Sequence, residues 1–271
     1  MLTTIFINLA VLLVLSLLLW WVSVLWRDSS IVDPCWGFGF VVAVWLTAFQ
    51  GVSWQPRSIL LLTMVSIWGL RLTAYLAWRN HGKEEDYRYR QMREHHGARF
   101  WYVSLFTIFW LQAILLWFIS LPLQATLAGS ADNSSVLSWL DMTGIAFWFV
   151  GMIFESVGDL QLAKFKADPN NAGKVMDRGL WRYTRHPNYF GDFCVWWGFY
   201  LVAVAGGAAW TIASPALMSF LLIRVSGVRL LEKTISDRRP AYRDYIQQTN
   251  AFFPGPPRRT SQCLLPPARK R

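Results

Sequence analysis

The stretch 173–192, GKVMDRGLWRYTRHPNYFGD, crowds Lys174, Arg178, Arg182, Arg185 and His186 together just ahead of an apolar run. Such a cluster can bind the phosphates of an anionic cofactor, or it can be a basic flank that only sets topology. A helix from about 178 would put Arg182, Arg185 and His186 on one face by their i, i+3, i+4 spacing. Pro187 is expected to end that helix and hold His186 extended. Asn188 and Tyr189 then open the next apolar segment. Asn offers both a donor and an acceptor, and Tyr can stack on a flat ring. These are additions that a topological flank does not need.

Immediately upstream, ESVGDLQLAKFK spaces Glu155, Asp159, Leu162 and Lys166 at i, i+4, i+7 and i+11, one helical face. Acids inside membrane spans are rare and mark functional sites by default. Carboxylates here suit ribose hydroxyls or an exocyclic amide, and Lys166 suits a phosphate. A third polar run, KEEDYRYR, alternates acids with Arg88 and Arg90. It reads either as a solvated loop of local ion pairs or as a lid over a cofactor. Cys35, Cys194 and Cys263 form no CxxC, and His81, His95, His96 and His186 form no HxxxH pair. Neither a metal site nor a disulfide framework is expected. Gly82-Lys83 is followed by Glu84, so it is no phosphate-binding loop.

The elements that position these residues are apolar helices. Of the 271 residues, 54% are hydrophobic and 15% charged, against about 25% charged in ordinary soluble domains. A bilayer is the natural solvent for such a chain. Since a span needs about 20 largely apolar residues, seven candidates emerge: 4–26, 35–54, 58–78, 101–121, 138–158, 189–205 and 208–224. Lys and Arg concentrate in 79–99, in 159–188 and beyond 224, while 122–137 has none. By the positive-inside rule the N-terminus is outside and the C-terminus cytoplasmic. The net charge of +10 lies between apolar runs, which favours anionic headgroups or an anionic cofactor over nucleic acid. The expected architecture is all-α, a polytopic transmembrane bundle. Residues 1–253 form a membrane domain, with substrate-side helices in 1–121 and a cofactor-binding half in 138–253. Residues 254–271 form a disordered, basic, Pro-rich tail.

GLWRYTRHPNYFGD, an apolar hairpin, LLEK and RPAYRDYIQQTNAFFP together resemble the C-terminal domain of the steroid 5α-reductase superfamily. The likeness is greatest to its bacterial branch, DUF1295, of which RNHGKEEDYRYRQMR and SIVDPCWGFGF are also typical. The RHPxYxG pattern is shared with membrane methyltransferases of isoprenylcysteine and phospholipid. The resemblance implies an NADPH site in a bacterial inner-membrane protein. Asp159 and Lys166 would lie along the cofactor, Lys174 and Arg178 at phosphates, with Arg185 and His186 beside them. Trp181, Asn188, Tyr189 and Asp192 would contact the nicotinamide half or its ribose. Arg229 and Glu232, with Tyr242 or Tyr245, would close the site. In the steroid reductases an acid of the second helix and a Tyr of the third orient and protonate the enone. By position Asp33 would match the acid; the Tyr would fall near Trp68, a departure, which leaves Tyr75 or Tyr87 to supply the proton.

The implied function is NADPH-dependent reduction of a C=C bond in a lipophilic substrate. The alternatives are an S-adenosylmethionine-dependent methyltransferase and a non-enzymatic lipid-binding protein. Segment 159–188 has six Lys/Arg against Asp159, Asp168 and Asp177. That balance favours polyanionic NADPH over cationic S-adenosylmethionine.

Overall fold

A computed structural model describes residues 1–129, 136–225 and 241–258. Among them every regular element is helical. The chain divides into two compact units, one of residues 1–145 and 199–214, the other of residues 146–198 and 215–271.

The first unit begins with α1 (Leu2–Trp26), α2 (Val32–Phe49) and α3 (Pro56–Asn80). Pro56 at the first position of α3 suits a helix start, where its missing N–H would lack a partner in any case. Helices α2 and α3 touch backbone to backbone. A Cβ on Gly37 would lie 2.6 Å from the Gly69 carbonyl oxygen, and one on Gly69 would lie 2.6 Å from Val41 Cγ2. Close approach through small residues is how helices associate in lipid, where the hydrophobic effect supplies no drive. Next to that contact the fully buried Trp68 packs against Phe40 and Phe199. Trp68 is therefore a packing residue.

The unit continues through α4 (Tyr87–His96), α5 (Phe100–Ser104), a π turn over Leu105–Trp110, α6 (Leu111–Ile119) and α7 (Leu121–Ala128). Several buried polar groups in this unit pair with one another. Asn8 donates to Thr47 Oγ1 at 2.7 Å and to Gln124 Oε1 at 2.9 Å, tying α1, α2 and α7. Arg57 makes a two-pronged pair with Asp141, Nε to Oδ1 and Nη2 to Oδ2, both at 2.9 Å.

Helix α8 (Trp139–Ala167) begins in the first unit and carries Glu155, Asp159 and Lys166 in the second. Among the described residues it is followed by α9 (Pro187–Ala205), α10 (Ala213–Phe220) and α11 (Ala241–Gln248). In the second unit α8 and α9 cross at Gly151 and Gly191, where a Cβ on Gly191 would stand 2.4 Å from the Glu155 nitrogen.

Five helical segments are long and apolar enough to cross a bilayer: Leu2–Trp26, Val32–Phe49, Pro56–Asn80, Tyr87–Ile119 and Trp139–Ala167. They mark an integral membrane protein. The last two expected spans are helical but of another kind. Pro187–Ala205 mixes Asn188, Gly191 and Asp192 with its aromatics, and Ala209–Val225 is short.

Removing one partner of a buried ion pair strands the other charge at a cost of about 3–5 kcal/mol, whereas an apolar pair of similar volume is often tolerated. Arg57→Met should therefore lower the melting temperature strongly in detergent. Arg57→Met with Asp141→Leu should recover most of the loss; a double variant no more stable than the single one would remove the ion pair as the cause.

Candidate functional site

The densest polar constellation of the first unit lies where the turn before α2 meets α4. Asp33 is in the first turn of α2, where the helix dipole favours an anion. Its Oδ1 accepts from the Tyr89 hydroxyl at 2.7 Å and its Oδ2 from Arg88 Nη2 at 2.9 Å. Arg88 also donates from Nε to Asp86 Oδ1 at 2.9 Å. Asp86 caps α4 by accepting from the Arg88 backbone N–H at 2.9 Å, and its own N–H donates to Ser30 Oγ at 2.7 Å. Glu85 Oε1 accepts from the Ser29 N–H at 2.9 Å and from Arg93 Nη2 at 2.7 Å. The segment KEEDYRYR is thus bonded to residues 29–33 through the carboxylates of Glu85 and Asp33 and the backbone N–H of Asp86.

Tyr89 is buried in a cluster with Trp20, Val32, Phe100, Ile108 and Phe109. Gln112 Nε2 reaches the Tyr89 hydroxyl at 3.5 Å. Beside this cluster a cavity of about 200 Å³ opens among Leu12, Leu19, Val32, Trp36, Phe109 and Gln112. A phenol backed by a carboxylate and a guanidinium therefore sits next to an apolar hollow, an arrangement able to protonate one oxygen of a lipophilic molecule once the hydroxyl turns from Asp33.

The tyrosine bonded to Asp33 is Tyr89, two residues beyond the Tyr87 singled out from sequence. Tyr87 and Tyr75 are half-buried, and Tyr75 has the guanidinium carbons of Arg71 and Arg79 at 5.4 and 5.9 Å from its ring centre. One signal for Tyr89 was available: once Asp86 caps a helix, Glu85, Tyr89 and Arg93 follow at four-residue intervals.

The second unit gathers several of the residues expected around a cofactor. Asp159 is buried, and Asn188 Nδ2 donates to its Oδ1 at 3.2 Å. His186 and Tyr189 stack with ring centres 5.6 Å apart and planes 5° from parallel. Asp192 is half-buried on the same helix as Asn188, while Lys166, Lys174 and Arg178 are exposed. Arg229 and Glu232 lie outside the described residues.

The local structure of the basic segment departs from expectation. Only a short 3-10 turn, Gly179–Arg182, forms, and Pro187 starts α9 instead of ending a helix. Gly179 has φ +59 and breaks any earlier helix, and a proline fits a helix start. The shared face is lost with it: Arg182 is exposed, whereas Arg185 and His186 are buried. Arg185 Nη1 donates to the carbonyls of Ile246 at 2.9 Å and Thr249 at 2.6 Å, neutralising the C-terminal end of α11. The Arg185 N–H donates to the Asn250 carbonyl, and Thr184 Oγ1 to that of Phe252. Trp181 Nε1 donates to the Gly158 carbonyl at 3.0 Å, and the Tyr245 hydroxyl donates to the Trp181 carbonyl. Arg185, Trp181 and Tyr245 thus fasten residues 241–255 to the RYTRHP segment.

An all-helical membrane protein with a Tyr–carboxylate pair beside an apolar cavity is the class these features define. The chain belongs to the DUF1295 family, described as a protein family of unknown function, whose model matches residues 19–249. It is 28% identical to the uncharacterized protein C594.04c of Schizosaccharomyces pombe over 89% of its own length and 77% of that protein's. Over 81 residues it is 31% identical to the mouse and rat proteins named 3-oxo-5-alpha-steroid 4-dehydrogenase 1. That stretch is 30% of this chain and 29% of each mammalian one. No solved structure matches the chain.

Two predictions follow from these bonds. Burial pushes the Glu85 carboxyl up, but the Arg93 guanidinium and the Ser29 N–H outweigh it and hold it below its ordinary value of 4.5. Asp86, bonded to Arg88, is likewise held low against its burial. Carboxyls depressed in the fold contribute stability that is complete above the unfolded value and lost as pH falls through the folded one. The melting-temperature gap between the wild type and Glu85→Gln should accordingly be widest near neutral pH and close below about pH 4.5. A constant gap would mean that the charge of Glu85 is immaterial. For Arg185→Ala, residues 241–258 should become sensitive to protease; cleavage as slow as in the wild type would remove Arg185 as their fastener.

Proposed function

We propose that the protein is an NADPH-dependent membrane reductase acting on a C=C bond conjugated to an oxygen function in a lipophilic substrate. The observation that carries this reading is the Tyr89–Asp33–Arg88 constellation beside an apolar cavity. The partial likeness to proteins named 3-oxo-5-alpha-steroid 4-dehydrogenase points the same way. A methyltransferase has no evident use for a phenol held between a carboxylate and an amide at an apolar hollow.

The residues of the second unit fit the cofactor. Lys166, Lys174 and Arg178 are exposed cations suited to its phosphates. Asp159 and Asn188 already share a hydrogen bond and together offer the acceptors and donors that a ribose or carboxamide takes. The flat His186–Tyr189 stack offers a ring face. NADPH, when bound, supplies the hydride equivalent. The chain's own residues do the rest. Tyr89 donates the proton that completes the reduction. At rest its hydroxyl donates to Asp33 beside Arg88, so it turns from the carboxylate to the substrate oxygen to give up its proton, and the apolar lining excludes water. In this reading the basic segments and the C-terminus face the cytoplasm, where the cofactor is dissolved, and the last two apolar helices complete a seven-span bundle.

The test uses purified protein. NADPH at about one hundred times its Kd should stabilise the fold by about 2.7 kcal/mol in a thermal shift, and S-adenosylmethionine should not. Asn188→Ala should raise the NADPH Kd by roughly 5- to 150-fold, the equivalent of one lost buried partner. Lys174→Ala or Arg178→Ala should weaken NADPH more than NADH. Tyr89→Phe should leave the NADPH Kd unchanged and slow enone-dependent NADPH oxidation by about 100-fold or more. Stabilisation by S-adenosylmethionine alone would overturn the reductase reading.

A further inference from the structure

The cavity of the first unit is apolar along Leu12, Leu19, Val32, Trp36 and Phe109. Two small polar groups on its wall are muted. The Ser16 hydroxyl donates to the Leu13 carbonyl of its own helix at 2.9 Å, and Cys35 offers only a weak thiol donor. Gln112 is different. It is half-buried, it lines the cavity, and its amide nitrogen lies 3.5 Å from the Tyr89 hydroxyl. An amide on an apolar wall costs free energy unless something polar meets it. Packing alone would be served better there by Leu or Met.

The backbone explains how Gln112 reaches this wall. The π turn Leu105–Trp110 precedes it. One extra residue in a turn rotates all that follows by about 100° around the helix axis. Phe109, Gln112, Ala113 and Leu116 then lie along one face, and all four line the cavity. Across from them Gly39 leaves the space that Leu116 fills, since a Cβ there would stand 2.2 Å from Leu116 Cδ1. The volume, about 200 Å³, is below the roughly 300–1,000 Å³ usual for small-molecule pockets. Leu15 and Phe38 of the lining are exposed, so a longer ligand can continue past the rim.

We infer that Gln112 is the residue by which this cavity selects its ligand: its amide N–H donates to a carbonyl oxygen placed beside the Tyr89 hydroxyl. The ligand class is a lipid with one carbonyl on a slender apolar chain, distinguished from a hydrocarbon of the same shape. The chemical purpose of that selection rests on the reductase reading, but the binding preference needs no cofactor.

The experiment measures binding of two probes to the purified full-length protein by thermal shift and Trp fluorescence: a long-chain methyl enone and the alkene of equal length. The wild type should prefer the enone by about tenfold, the equivalent of one net hydrogen bond of about 1.4 kcal/mol. Gln112→Met, close in length and apolar, should erase the preference while keeping alkene affinity. Gln112→Glu, which loses the donor, should erase it too and provides a second variant if the first misfolds. An undiminished preference in either folded variant overturns the assignment, as does a wild type that binds both probes equally. A Gln112-dependent preference without enone-driven NADPH oxidation would leave this inference standing and remove the reductase. Oxidation with a preference indifferent to Gln112 would do the reverse.

Discussion

The structure of the first unit turns on one carboxylate. Asp33 stands at the start of an apolar helix, where an uncompensated charge would be expensive. It is kept there by a phenol and a guanidinium from the same short helix, and that helix is in turn fixed by its own acids. Asp86 caps it and Glu85 grips Arg93 and the turn before α2. The requirement that Asp33 be satisfied therefore determines where α4 lies, and α4 determines which tyrosine meets it. The packing of Tyr89 among Trp20, Phe100 and Phe109 makes the arrangement rigid as well as neutral.

A comparable division holds in the second unit, where residues of one motif do two kinds of work. In RYTRHPNY the first part is mechanical. Thr184 and Arg185 spend their donors on backbone carbonyls of residues 246–252, and Trp181 is bonded on both its indole and its carbonyl. The second part, His186 to Tyr189, keeps a flat stack and an amide paired to a buried acid. A guanidinium that holds a helix end and one that binds a phosphate look alike in sequence; the difference is which acceptor lies within reach.

Close packing sets the background for both. Gly37 against Gly69 and Gly151 against Gly191 bring backbones into contact. Trp68 is part of that packing, between Phe40 and Phe199. The cavity owes its shape to the same economy of volume, since Gly39 gives room to Leu116 and a single π turn aims Gln112.

Composition and periodicity alone determined that the chain is helical and lives in a membrane, because long apolar runs with few charges have no other stable solvent. They also determined where the charged segments lie, because Lys and Arg gather between the apolar runs. The likeness of the motifs to a family was equally open to reading. Tertiary structure decided the rest. That Tyr89 meets Asp33 depends on contacts 56 residues apart in the chain, which no local spacing encodes. That Pro187 begins a helix rather than ending one was settled by the fold, which forms only a short 3-10 turn at Gly179–Arg182 before it. Arg185 proved to be a clamp because the carbonyls it serves lie more than 60 positions away. Sequence lists the donors and acceptors, and only the fold brings each to its partner.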